Sequence, residues 1–260
     1  MKDFTLISSR ENPVVKQIIA LQKSADNRKK AGLFVIEGLR ICKDAIENNV
    51  KVSRLIVSKT ALKKYNDDIE YLSDFAVSFN VVTDEIIGKI SDTKSPQGIY
   101  MIVEIPKEVC KIDTKNKRYI ALENVQDPSN LGAVTRTAEA LGFGGIVLSG
   151  NGCDPFSPKA LRASMGTLIR MSLYFTNSII DFCKENGLKS VAMVVDKTVT
   201  DIKDYSFSDN DIILIGNEAN GLKEETIRDA DQKVTIKMTG SAESLNAAAA
   251  AAIGMWESIR

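Results

Sequence analysis

The sequence predicts an α/β protein in two parts, a smaller amino-terminal α/β unit and a larger carboxyl-terminal unit built on a mostly parallel sheet. Three observations carry that expectation. Short apolar runs alternate with helix-patterned segments along the whole chain, as in layered strands and helices. In the second half the apolar runs are continuous rather than alternating with polar residues, which suits strands covered on both faces. Between the halves, Pro106 to Lys117 is charged and almost without large apolar residues. The expected boundaries are residues 1–104 for the first domain, 105–117 for a linker and 118–260 for the second domain.

In chain order, Pro13 fits the first turn of a helix carrying Val14, Ile18, Ile19 and Leu21, because a helix start leaves its first amides unpaired and proline has none to lose. A basic, loop-like stretch follows at Asn27-Arg28-Lys29-Lys30. Strands are expected at Leu33–Ile36, Leu55–Val57, Val81–Val82 and Ile99–Val103, with helices between them. Beyond the linker, strands are expected at Tyr119–Leu122, Gly145–Leu148, Val191–Val195, Ile212–Ile215 and Val234–Ile236. There is no internal repeat, and the only low-complexity tract is Ala247 to Ala252.

Composition excludes several chemistries. The chain has 260 residues, 44% hydrophobic and 26% charged, and can bury one large core or two modest ones. No apolar run is long enough to span a bilayer, and the first residues lack the apolar stretch of a signal peptide, so a cytoplasmic protein is expected. Cys42, Cys110, Cys153 and Cys183 lie far apart without a CxxC pair, and no carboxylate spacing compels a metal site. Neither disulfides nor metal are therefore expected. The chain has no histidine, which removes the commonest general base and the Ser-His and Cys-His nucleophile systems. Neither GxGxxG nor GxxxxGK[ST] occurs, which disfavours dinucleotide and P-loop sites. Basic and acidic residues balance at 34 each, so nucleic-acid binding requires local patches. The densest in the first half is Arg28-Lys29-Lys30, with Lys16 and Lys23 nearby.

Three segments of the second half carry the chemistry. In Asn130-Leu131-Gly132-Ala133-Val134-Thr135-Arg136-Thr137-Ala138, Asn130 has the residue type of an N-cap for a helix from Leu131, and Gly142 that of its terminator. Leu131, Val134, Ala138 and Leu141 then share one face, with Arg136 nearly opposite and Glu139 within pairing distance of it. Ile215-Gly216-Asn217-Glu218-Ala219-Asn220-Gly221-Leu222 ends a buried strand in a glycine turn, where open α/β sheets bind small molecules. In Met238-Thr239-Gly240-Ser241-Ala242-Glu243-Ser244-Leu245-Asn246, Ser244 is the expected cap of a helix running from Leu245 to Ile259, whose alanines permit close packing.

Together these segments resemble the three signature motifs of the SpoU/TrmH family of SPOUT RNA 2′-O-ribose methyltransferases. Phe34-Val35-Ile36-Glu37-Gly38 and Ser95-Pro96-Gln97-Gly98-Ile99 are similar to the accessory RNA-binding domain of the subgroup acting on ribosomal RNA. The resemblance implies a trefoil-knotted second domain, S-adenosylmethionine as cofactor, and RNA as substrate, ribosomal RNA ahead of transfer RNA. The rivals are a non-catalytic SPOUT-like RNA-binding protein and a small-molecule enzyme of ordinary α/β type. It further implies a homodimer packed through the knotted domain, the partner helping to complete each active site. Asn130, Arg136, Glu218, Ser244 and Asn246 fall to the catalytic region. Leu214, Ile215, Gly216, Asn217, Gly221, Ile236, Met238, Ser244 and Leu245 fall to the cofactor pocket, and Arg28, Lys29, Lys30 and Arg136 to RNA. One departure is Lys237, where the family usually places proline. Arginine is an awkward base because its pKa exceeds about 12, so Arg136 is expected to hold the phosphate beside the target ribose.

Overall fold

A computed structural model describes residues 3–91, 93, 95–106, 112–113 and 117–260. Most of the expected linker, and Cys110, lie outside the described residues. The chain divides into two compact units, Met1–Lys107 with Phe156–Leu161, and Glu108–Pro155 with Arg162–Arg260.

In the first unit the elements run β1 (Thr5–Ile7), α1 (Pro13–Lys23), α2 (Ala25–Ala31), β2 (Leu33–Glu37), α3 (Leu39–Glu47), β3 (Val52–Ser58), α4 (Lys59–Lys64), α5 (Asn66–Phe75), β4 (Ala76–Val82), α6 (Asp84–Ile90) and β5 (Ile99–Glu104). They form a five-stranded mixed sheet in the order β1-β4-β3-β5-β2. Asn12 caps α1 by accepting from the Val14 amide at 2.9 Å, and Pro13 follows it. Val15, Ile18 and Leu21 of this helix are buried with Ile7, Val35, Ile56 and Tyr100.

The basic stretch is not a loop. Ser24 caps α2 by accepting from the Asn27 amide at 3.2 Å, and Gly32, at φ 65°, closes it. Arg28 is only 4% exposed, its guanidinium donating to the carbonyls of Leu21 and Gln22 at the end of α1. A cation there satisfies orphan carbonyls and the negative end of the helix dipole. Arg28 is therefore withdrawn from the expected RNA-binding cluster; Lys29 and Lys30 remain exposed.

In the second part of the chain the elements run β6 (Tyr119–Glu123), α7 (Pro128–Ala140), β7 (Gly145–Ser149), α8 (Pro158–Ala163), α9 (Thr167–Arg170), β8 (Ser172–Thr176), α10 (Ile179–Glu185), β9 (Lys189–Met193), β10 (Thr200–Asp201), β11 (Asp211–Ile215), α11 (Glu224–Asp229), β12 (Gln232–Thr235) and α12 (Ala247–Ile259). Their seven strands pair in parallel throughout, in the order β10-β12-β9-β11-β6-β7-β8. The central strands β6 and β11 are buried along their whole length, as their continuous apolar runs predict. Helix α12 lies against β11 and α7. A Cβ on its Gly254 would come within 2.7 Å of the Met193 sulfur, so a side chain there would require the flexible Met193 side chain to shift.

Candidate active site

In a parallel sheet all carboxyl ends share one edge, and ligands bind where the strand order switches direction. Here the switch falls between β6 and β11, since β7 and β8 continue on one side while β9 and β12 lie on the other. Two loops leave the sheet at that point, residues 124–127 after β6 and residues 216–222 after β11.

The cap of α7 is Asp127, whose carboxylate accepts from the Ser129 amide at 2.9 Å with Pro128 in the first turn. Asn130, expected in that role, lies inside the helix, buried, with its side chain free for a different task. Gly142 follows the end of the helix at φ 77°, as expected of its terminator.

Glu218 organises the site. Its Oε1 accepts from Asn130 Nδ2 at 2.9 Å and the Asp127 amide at 3.0 Å. Its Oε2 accepts from the Gln126 amide at 3.1 Å and Asn217 Nδ2 at 3.3 Å. An ionised carboxylate can only accept, so it fixes which end of the Asn130 amide faces it. Asn130 Oδ1 is thereby turned away and accepts from Asn246 Nδ2 at 2.9 Å. Asn246 Oδ1 in turn accepts from the amides of Ala248 and Ala249 at 2.9 and 3.2 Å, capping α12. One orientation thus propagates from Glu218 through two asparagines to a helix terminus.

The turn holding Glu218 is fixed by its neighbours. Asn217 Nδ2 donates to the Asn124 carbonyl at 2.9 Å, while Asn217 Oδ1 accepts from the amides of Ala219 and Asn220 at 3.0 and 3.1 Å. A Cβ on Gly216 would stand 2.0 Å from the Gly221 carbonyl carbon, so only glycine lets the loop close on itself. Burial pushes the Glu218 carboxyl up, but the bonds from Asn130, Asp127 and Gln126 outweigh it and hold the group below the usual carboxylate range. Burial, then the Glu218 and Asp154 carboxylates, push the Cys153 thiol up to about 11, away from nucleophilic use at neutral pH.

Residues 117–256 match the SpoU rRNA Methylase family. The chain belongs to that family. Residues 12–101 match the MRM3-like substrate binding domain. The 23S rRNA (guanosine(2553)-2′-O)-methyltransferase RlmP of Bacillus subtilis is 28% identical, covering 95% of this chain and 96% of its own. The 23S rRNA (uridine(2479)-2′-O)-methyltransferase of Streptomyces viridochromogenes is 27% identical, covering 98% and 91%. The AdoMet-bound rRNA methyltransferase of Sinorhizobium meliloti has a similar structure, with a TM-score of 0.88 and 30% identity over 98% of this chain and 97% of that one. The SpoU family makes this chain an RNA methyltransferase with an amino-terminal substrate-binding domain.

Of the SpoU catalytic-region residues expected from sequence, the structure brings Asn130, Glu218 and Asn246 into one hydrogen-bonded chain. It does not bring Arg136 or Ser244 into it. Arg136 is exposed on α7, about 9 Å along the helix axis from Asn130. Among the described residues it has no hydrogen-bond or ion-pair partner; Glu139, its expected neighbour, is taken by Arg170. Ser244 does not cap α12, which starts two residues later than expected; it is exposed and unbonded among the described residues.

The expected cofactor residues border the same edge. Leu214, Ile215 and Gly216 are buried at the end of β11, Gly221 closes the turn at φ 67°, and Ile236 and Met238 are half-buried. Leu245 is exposed, and from Met238 to Leu245 the backbone makes no hydrogen bond among the described residues. Lys237 reaches to 3.9 Å from the carboxylate of Asp201 on β10, a tether of a kind that proline would lack. Sequence reasoning missed the first loop: Gln126 and Asp127 donate to Glu218, and Glu123, buried, accepts from the Lys223 amide at 2.8 Å and Thr226 Oγ1 at 2.7 Å. The Asp127-Pro128 pair, a cap followed by proline, was the available signal.

Proposed function

We propose that this protein transfers a methyl group from S-adenosylmethionine to a ribose 2′-hydroxyl of ribosomal RNA. The carrying observation is the Asn246–Asn130–Glu218 chain at the sheet's switch point, its Asn130 on the same helix as Arg136, which has no partner among the described residues. Relatives spanning almost the whole chain, both domains included, are named for 2′-O-methylation of 23S rRNA, which favours ribosomal over transfer RNA.

Half-buried Ile236 and Met238 beside a run of backbone amides and carbonyls unbonded among the described residues fit a ligand with an apolar adenosyl group recognised through main-chain contacts. When bound, S-adenosylmethionine supplies a methyl carbon made electrophilic by its sulfonium. Arg136 holds the phosphate next to the target ribose and aligns the 2′-oxygen for in-line attack. The hydroxyl proton passes to an oxygen of that phosphate, since the guanidinium stays protonated. Glu218 is not the base: four donors occupy its oxygens. It acts through Asn130, as a positioning residue. Ser244, on the loop leading into α12, orients the ribose.

Residues 1–104 serve as the substrate-binding domain and 118–260 as the methyltransferase domain. A trefoil knot is supported by the strand order: after β12 the chain returns across β11 to lay α12 on α7. No described helix is long and apolar enough to cross a membrane, and a ribosomal RNA substrate favours the cytoplasm. The decisive experiment supplies labelled methyl cofactor with ribosomal and transfer RNA. Label is expected in alkali-resistant dinucleotides of ribosomal RNA, because a methylated 2′-oxygen cannot cleave its neighbour. Label in transfer RNA alone would overturn the substrate, and none in either would overturn the activity.

The enzyme works as a homodimer through α12. Ala247, Ala251, Gly254, Met255 and Ser258 face its own domain, while Ile253, Trp256 and Ile259 stand 37%, 56% and 40% exposed at a spacing of three. Such an outward apolar stripe marks an interface. Trp256 is the chain's single tryptophan, so its fluorescence reports on this surface. Trp256→Glu is expected to give a monomer by light scattering at micromolar concentration. A wild-type monomer that is fully active would remove the dimer from the mechanism.

Lys29 and Lys30 supply backbone contacts to RNA from the first domain. Their joint replacement by serine is expected to lower the slope of log affinity against log salt by about 1.4 to 1.8, two phosphate contacts' worth. An unchanged slope would remove both from the interface. Arg28→Ala is expected instead to lower stability, because it strips the carbonyls ending α1 of their donor.

A further inference from the structure

Glu139 lies in the last turn of α7, where the helix dipole disfavours a carboxylate, and three residues beyond Arg136, within its reach on the same helix. Two arginines could therefore neutralise it. The structure gives it to Arg170 at the end of α9: Nε donates to Oε1 at 2.6 Å and Nη2 to Oε2 at 2.8 Å. Such fork-to-fork pairing is stronger and more directional than a single-point contact. Both side chains are partly sheltered, at 24% and 33% exposure. The bonds from Arg170 hold the Glu139 carboxyl below the usual range, with burial opposing them, so it is ionised at neutral pH.

From this division of partners we infer that Arg170 is a positioning residue for methyl transfer: by occupying both oxygens of Glu139 it keeps that carboxylate off Arg136 and leaves the Arg136 guanidinium free for an RNA phosphate. A carboxylate and a phosphate oxygen offer a guanidinium the same chemistry. With Arg170 gone, an ionised acceptor attached to the same helix competes with the substrate for Arg136. It also sets an uncancelled negative charge beside the RNA backbone. The inference rests on Arg136 being the phosphate-holding residue.

The test compares full-length Arg170→Met, Glu139→Gln, the double variant and Arg136→Ala, measuring methylation against RNA concentration and the melting temperature of each. Arg170→Met is expected to raise the KM for RNA about fivefold, the worth of a strong exposed ion pair, with kcat nearly unchanged. Glu139→Gln alone is expected to behave as wild type. The double variant is expected to recover a KM within about twofold of wild type although the link between α7 and α9 stays broken. A lowered melting temperature shared by Arg170→Met and the double variant, together with that recovery, separates the role from mere bracing. A double variant as weak as Arg170→Met would overturn the inference, since Arg170 would then act on the RNA or the fold directly. If Arg170→Met does not fold, Arg170→Lys serves in its place, alone and combined with Glu139→Gln, with a KM expected above that of wild type by less than about fivefold and restored in the combination. Near-normal turnover in Arg136→Ala would overturn the reading of Arg136 itself, whereas its loss with no rescue in the double variant would overturn only the role of Arg170.

Discussion

Arg136→Ala is expected to cut methyl transfer by about a thousandfold while the affinity for S-adenosylmethionine stays within about twofold. The guanidinium is exposed and, among the described residues, has no protein partner, so its removal breaks no packing or hydrogen bond of the folded protein. On the proposed mechanism, what it removes is the charge that fixes the phosphate beside the target ribose. Arg136→Lys is expected to recover only part of the loss, because an ammonium offers a point charge where a planar fork is needed. Single-turnover rates at saturating RNA, with cofactor affinity measured separately, decide the matter. Near-wild-type rates in Arg136→Ala would remove it from the mechanism.

Glu218→Gln is expected to be nearly as damaging as Glu218→Ala, at about a hundredfold in turnover. All four groups that meet this side chain are donors: two backbone amides and two asparagine Nδ2 atoms. Glutamine keeps the shape but turns one acceptor oxygen into a donor, and two of those groups then face an N–H. Glu218 is exposed, so the stability cost should be about 1 to 2 kcal/mol. The larger effect is on Asn130, whose amide loses the reference that orients it. Because the carboxyl is held below its ordinary value in the folded protein, its stabilising contribution is complete above that value and disappears as pH falls through the lowered one. Acid unfolding should therefore shift in Glu218→Gln, whereas neutral-pH stability should fall by a constant amount. Full activity in the glutamine variant would show that acceptor capacity is not what the site requires.

The central strands were legible in the sequence because burial on both faces leaves a continuous apolar run, as in Ile212–Ile215. Three strands were not: β1, β8 and β10, each at the edge of its sheet. Edge strands are only partly covered: one residue of β1 and one of β10 are buried, and the apolar run of Ser172–Thr176 is only Leu173 to Phe175, with Phe175 exposed. Both functional helix starts were misplaced for one reason. Asp127-Pro128-Ser129-Asn130 and Ser244-Leu245-Asn246 each contain more than one residue able to cap, and local preference does not choose between them. Long-range partners do: Glu218 claims Asn130 across 88 positions, and Asn130 claims Asn246 across 116. Arg28 was misread similarly, since nothing in Asn27-Arg28-Lys29-Lys30 says that one of its three cations turns inward to the end of α1.

Asn246 uses the two ends of a single amide for two different helices, donating to α7 and accepting at the first turn of α12. The fraying of that turn is therefore coupled to the position of Asn130 on α7. We propose that Asn246, like Ser244, turns toward a bound ribose; Ala248 and Ala249 then lose an acceptor worth about 1 kcal/mol, and their amide protons are expected to exchange with solvent several-fold faster. When the pocket holds Asn246 in register, those same protons should be among the better protected of any helix start in the chain. Two alanines without functional groups of their own thus become a spectroscopic gauge of occupancy, readable amide by amide while the enzyme turns over.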